Sequence, residues 1–131
     1  LYYVVIGFGG MIGSLLRYFL SITALSLWGK GFPLGTLLAN LLGAFTLGWL
    51  TKNKAIQRKL PPHIVSGIGT GIIGSFTTFS TFSLETIQLV EQNNLFLGFI
   101  YVIVSIIGGL FSVWLGSYIA KNAKYTGKDS L

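Results

Sequence analysis

The chain has 131 residues, 52% of them hydrophobic and only 9% charged, with a net charge of +6 and no cysteine. A soluble domain of this length carries roughly a quarter charged residues, so a water-soluble body is excluded. Disulfides, iron–sulfur clusters and thiolate zinc sites are excluded with the cysteines.

Apolar runs at about 2–28, 34–50, 63–91 and 95–120 predict an all-α integral membrane protein with four transmembrane helices. Each run approaches or exceeds the roughly 20 apolar residues that a helix needs to cross a bilayer. The first is too long for a signal peptide and lacks a charged start and a cleavage site. It is rich in small residues (Gly7, Gly9, Gly10, Gly13, Ser14) and then carries Arg17, the strongest charge inside a span. Such a residue either snorkels to the interface or makes an electropositive vestibule. The second run has Gly35, Ala39 and Gly43 at four-residue spacing, which lets helices approach closely in lipid. Asn40 lies on that run, able to join helices or to donate an N–H to an anion. Pro61-Pro62 ends the following loop and restarts a helix at its first turn.

The third run is the unusual one. Residues 64–73 make roughly 15 Å of helix, about half of a hydrocarbon core of roughly 30 Å. Gly74 then opens a stretch, GSFTTFSTFS, in which hydroxyls alternate with phenyl rings and no group titrates. A break near 74–78, close to the bilayer midplane, is expected, although an unbroken helix with Ser and Thr bonded to their own carbonyls fits the spacing equally. Gly69, Gly71 and Gly74 match the dinucleotide pattern G-x-G-x-x-G, but with no strand before them they read as positions of close packing or flexibility. Asn93-Asn94 marks a tight return into the fourth run, where Tyr101 and Ser105, one turn apart, either start a polar track or satisfy themselves locally. Residues 121–131 read as a tail.

No catalytic set is present, so the chain reads as a non-enzyme: His63 stands alone, and Glu85 and Glu91 have no second acid or histidine at ligand spacing. With four spans, both termini and the 51–62 loop share one side, which holds Lys52, Lys54, Arg58, Lys59, Lys121, Lys124 and Lys128. Short basic loops stay cytoplasmic, so the charge predicts termini inside a plasma (inner) membrane and does not call for nucleic acid as a partner. Phe79 and Phe82 would stack along one helix face, with Ser80, Thr81 and Ser83 between them. Phenyl edges are electron-poor, and with neutral hydroxyl and amide donors they would bind a small hard anion weakly enough to release it.

Three ordered motifs carry a resemblance to the Fluc (CrcB) family of fluoride channels. They are GMIGSLLRY at 10–18, GTLLANLLGAF at 35–45 and GIIGSFTTFSTFS at 71–83. The resemblance implies an antiparallel dimer with two narrow pores and passive export of cytoplasmic fluoride, which protects against its toxicity. It also implies a fluoride path along Asn40, Phe79, Phe82, Ser80, Ser83, Thr81, Tyr101 and Ser105, with Arg17 near a vestibule. A structural Na+ at the dimer centre is implied as well, held by the carbonyls of Gly74 and Thr77. Gly109 and Val113 depart from the family's expected hydroxyls on the fourth run. The charge bias departs too, since a chain that inserts both ways needs balanced loops, and this predicts pairing with a homologous subunit of reversed bias. The competing class is a small multidrug-resistance-type cation/proton antiporter, which needs an acid in the first span where this chain has Arg17.

Overall fold

A computed structural model describes the backbone of residues 1–128 and the side chains of residues 1–123. Every regular element among them is helical. The first run forms α1 (Tyr2–Trp28), closed by Gly29 at φ 77, and the second forms α2 (Leu34–Lys52). α3 (Lys54–Lys59) follows in the expected loop, nucleated where the Asn53 side chain accepts the Ile56 N–H at 3.2 Å. Pro62 starts α4 (Pro62–Ser66), as a proline at the first helical position should.

The third run is segmented. α4 passes into a π-helical stretch (Gly67–Ile73), then α5 (Gly74–Phe76), an interruption, and α6 (Ser80–Glu91). The break lies at 77–79, where Thr77 is extended at φ −82, ψ 157. Gly74 itself is helical, so the interruption starts three residues later than its glycine suggested. The π turn was not foreseen in the sequence.

Asn93, at φ 60, turns the chain into α7 (Leu95–Lys128). The expected tail from 121 is thus helical to Lys128, because nothing between 121 and 126 opposes a helix. Residues 129–131 and the side chains of Lys124 and Lys128 lie outside the described residues. Three helices are long and apolar enough to cross a membrane: α1, α2 and the described part of α7.

Close packing is achieved by missing side chains. A Cβ on Gly9 would meet the Gly67 carbonyl, and one on Gly13 would meet Ile72 O and Ser75 Oγ, so α1 lies backbone to backbone against the π-helical stretch. The Ser75 hydroxyl, 2.9 Å from Gly10 O and 2.7 Å from Gly71 O, links the same seam. α2 packs between α1 and α7. Gly48 faces Val113 and Ser117 of α7, while Gly116 faces Phe45 and Trp49 of α2. Leu37, Leu89 and Tyr101 form the buried core, flanked by Phe32, Leu34, Leu41, Phe82 and Leu97. α1 turns Phe8, Met11, Leu15 and Phe19 outward, an apolar surface suited to lipid.

Candidate functional site

The interruption at 77–79 is imposed from α2. Asn40 Nδ2 donates to the Thr78 carbonyl at 3.0 Å, and the Thr78 N–H donates to Asn40 Oδ1 at 2.8 Å. In an unbroken helix that N–H would serve the carbonyl of Gly74, four residues back. The next turn shows the same diversion. The Thr81 N–H goes to Thr78 Oγ1 at 3.2 Å, which leaves the Thr77 carbonyl without its helical donor. Asn40 is therefore the residue that holds the break open. One of its two amide hydrogens is used on Thr78, and the other has no acceptor among the described residues.

An open groove of about 420 Å³ runs beside the break, and Asn40, Gly74, Thr77, Phe79, Phe82 and Ser105 all border it. Gly43 borders it too and makes room for Thr77, since a Cβ there would collide with Thr77 Cγ2. Phe79 is 79% exposed, so its ring is not sealed into a helix seam. Phe82 sits behind it at 5.8 Å between centroids, and Tyr101 sits behind Phe82 at 5.1 Å. Phe32 closes the row with its ring edge-to-face on Tyr101 at 5.5 Å.

Beyond that row lies a second cavity, about 350 Å³, whose border includes Lys30, Gly35, Thr36, Glu85, Gln88 and Gln92. At its base the Thr36 hydroxyl donates to Glu85 Oε1 at 2.6 Å. The Tyr101 hydroxyl lies within electrostatic reach of both. That contact falls short of full hydrogen-bond geometry, and the Ser105 hydroxyl has no partner at all among the described residues, although both oxygens are buried. A buried hydroxyl without a partner forfeits about 1–3 kcal/mol. Two of them one turn apart on α7 mark a place where a polar guest would be stabilised.

The other sequence-derived residues divide. Ser80, Thr81 and Thr78 join hydroxyls at the break, with Thr78 Oγ1 3.2 Å from Thr81 Oγ1 and 3.4 Å from Ser80 Oγ. They brace the start of α6; Thr78 borders the groove, whereas Ser80 and Thr81 do not. Ser83 lies in the following turn, its N–H bonded to the Phe79 carbonyl. Arg17 borders neither cavity. Val113 faces α2 at Gly48, a packing position, while Gly109 has open space around its Cα. Thr36 was absent from the sequence-based site. Its only signal is one hydroxyl a turn before Asn40, and its partner Glu85 is 49 residues away in the chain.

Fold and site together define a small helical membrane protein with an uncharged, ring-edged groove beside a broken helix. Residues 4–117 match the family described as "CrcB-like protein, Camphor Resistance (CrcB)", and the chain belongs to that family. Among its curated relatives, "Fluoride-specific ion channel FluC 1" of Bacillus cereus is 52% identical over 116 residues, covering 88% of this chain and 85% of the relative. The protein of the same name from Bacillus thuringiensis is 50% identical over the same coverage. "Fluoride-specific ion channel FluC 2" of Geobacillus kaustophilus is 38% identical over 125 residues, 95% of this chain and 97% of the relative.

Proposed function

We propose that this chain is a subunit of a fluoride-selective channel that lets cytoplasmic fluoride leave passively and so confers resistance to it. The observation that carries the reading is the convergence of Phe79, Phe82, Asn40 and Ser105 on one groove without a charged side chain among them. Fluoride is small and strongly hydrated, so a path must replace lost water without binding so tightly that the ion stays. Ring edges, a spare amide N–H and unpartnered hydroxyls meet both requirements. HF enters a cell as a neutral acid and ionises in the neutral cytoplasm, and the anion then follows its electrochemical gradient outward. The chain catalyses no reaction, in keeping with relatives that are named as channels.

The Phe82–Tyr101 pair separates the open groove from the cavity above Thr36 and Glu85. An ion crossing between them exchanges ring edges for the hydroxyls of Ser105 and Tyr101. The outer cavity holds one cation, Lys30, and one carboxylate, Glu85. Of the two, Glu85 reaches the ring row at the Tyr101 hydroxyl. Arg17 acts at a vestibule, away from the narrow path.

In this reading α4 to α6, with the π turn, form a fourth span, and the bare face around Phe79 is covered by an antiparallel second subunit. Seven basic residues at one end favour a single orientation with cytoplasmic termini in the plasma membrane. That bias favours a partner homologous in sequence and reversed in charge. Relatives bearing the names FluC 1 and FluC 2 both align with this chain, which suits a paired system. Topology tags found equally on both sides of the membrane would refute the paired arrangement and favour a homodimer.

The carbonyls of Gly74 and Thr77, each deprived of its helical donor and both bordering the groove, suit a hard monovalent cation such as Na+. Bound there, it would supply positive charge to pin the break. Efflux from liposomes tests the whole reading with a fluoride electrode: fluoride leaves rapidly without a proton gradient, and chloride does not. Phe82→Ile should reduce the fluoride flux by about tenfold or more, given several kcal/mol of ion stabilisation at stake. Flux that survives removal of both Phe79 and Phe82 would overturn the path. The antiporter reading needs an acid in α1, which has none.

A further inference from the structure

The basic end of the molecule is built more firmly than a loop needs to be. α2 ends at Lys52, and the chain turns through Asn53 directly into α3. Gln57 reaches back from α3, and its Nε2 donates to the Leu50 carbonyl at 3.0 Å and the Thr51 carbonyl at 2.8 Å. These are carbonyls of the last turn of α2, which otherwise lack partners. One amide thus caps α2 and fixes the angle at which α3 leaves it. On α3, Ile56 is half-buried, while Lys54 and Arg58, one turn apart, are exposed on the opposite face, and Lys59 is exposed on the flank nearer Ile56.

Lys121 adds to this end. The contacts of Gly48 with Val113 and Ser117, and of Gly116 with Trp49, bring Lys121 level with the end of α2. Just inside it on α7, Trp114 and Tyr118 are stacked at 5.4 Å and are 57% and 50% exposed. Amphipathic rings of this kind collect at the boundary between acyl chains and headgroups. None of Lys52, Lys54, Arg58, Lys59 or Lys121 has an acidic neighbour among the described residues, whose acids, Glu85 and Glu91, lie on α6. Among the described residues these cations therefore have no acidic partner, and the ring pair sets them at headgroup depth.

We propose that the α2–α3 corner is a preorganised binding site for the phosphodiester headgroups of anionic glycerophospholipids, with Lys54, Arg58 and Lys59 as the phosphate ligands and Gln57 as the positioning residue. Orientation alone would be satisfied by the same charges on a slack loop. A capped, amphipathic turn adds fixed donors at one depth, which favours an anionic lipid over a zwitterionic one.

The test is native mass spectrometry of the full chain released from nanodiscs of equal phosphatidylcholine and phosphatidylglycerol. Wild type should retain phosphatidylglycerol in excess. Lys54→Gln/Arg58→Gln/Lys59→Gln should lose that excess by about tenfold or more, since each cation near an anionic surface is worth about a factor of five. Gln57→Leu, which keeps every charge, should lose a substantial part of it. Fluoride efflux from phosphatidylcholine vesicles should be unchanged in both variants, which separates this site from the ion path and reports that the protein is folded. Equal retention of both lipids by wild type, or undiminished preference in the triple variant, overturns the proposal. A preference unaffected by Gln57→Leu also overturns it, because charge alone would then be sufficient. Retention of a short RNA in place of lipid would overturn it as well.

Discussion

Asn40→Ala is the most informative single change. It deletes the two bonds, at 3.0 and 2.8 Å, that hold the Thr78 backbone out of the helix. An orphaned N–H and C=O cost about 1–3 kcal/mol each, and the pair is half-buried, so the gross loss is roughly 2–4 kcal/mol. Some of it returns if the Thr78 N–H recovers the Gly74 carbonyl and α5 grows toward α6, a neutral hydrogen bond of about 1 kcal/mol. The net destabilisation should be about 1–3 kcal/mol, with the break partly annealed and Phe79 rotated out of the groove. Asn40→Asp keeps an acceptor for the Thr78 N–H and loses the donor, so its structural loss should be smaller. Hydrogen exchange at Thr78, unfolding in mixed micelles and fluoride efflux report the three consequences separately. The reasoning fails if the alanine variant leaves Thr78 exchange and unfolding unchanged, since the two bonds would then not be what maintains the break.

Four other outcomes are expected. Tyr101→Phe removes a buried hydroxyl that reaches Thr36 and Glu85 only without full hydrogen-bond geometry; stability should change by less than about 1 kcal/mol, while fluoride efflux falls by about tenfold. A loss of both together would mean the hydroxyl is structural. Gly13→Ala drives a methyl into Ile72 O and Ser75 Oγ, and should lower stability by about 1–3 kcal/mol in a melting assay. Gly43→Val, placed against Thr77 Cγ2, should block fluoride efflux even where the protein remains monodisperse in size-exclusion chromatography. A double-mutant cycle over Thr36→Val and Glu85→Gln should return a coupling of about 1.5–3 kcal/mol for the 2.6 Å bond, and a value near zero would remove Thr36 from the base of the outer cavity.

The sequence was most legible where chemistry repeats along one helix. Apolar length marked α1, α2 and α7, and the alternation of hydroxyl and phenyl groups marked the region of the break. It was less legible where the cause is distant. The break falls at Thr77–Phe79, not at Gly74, because a side chain 38 residues away captures the Thr78 amide. The glycines at 69, 71 and 74 left close packing and flexibility both open, and Gly67–Ile73 form a π turn whose Gly67 and Gly71 press against α1. Thr36 and Glu85 were invisible as a pair for the same reason: local periodicity does not report which helix faces which. The helical extension beyond 121 was missed because polarity was read as an end, and polar residues carry a helix past the bilayer without penalty.

The seam between α1 and the π-helical stretch has a consequence for how the chain tolerates change. Gly9, Gly13 and Gly71 leave main chain touching main chain, where no rotamer relieves an added atom, and Gly67 is closed off by the Val5 side chain. In a saturation library scored for fluoride survival, these positions should form a narrow forbidden stripe. The outward residues of the same helix, such as Phe8, Met11 and Leu15, should accept nearly any greasy replacement. One face of α1 would then drift freely while its opposite edge stands still.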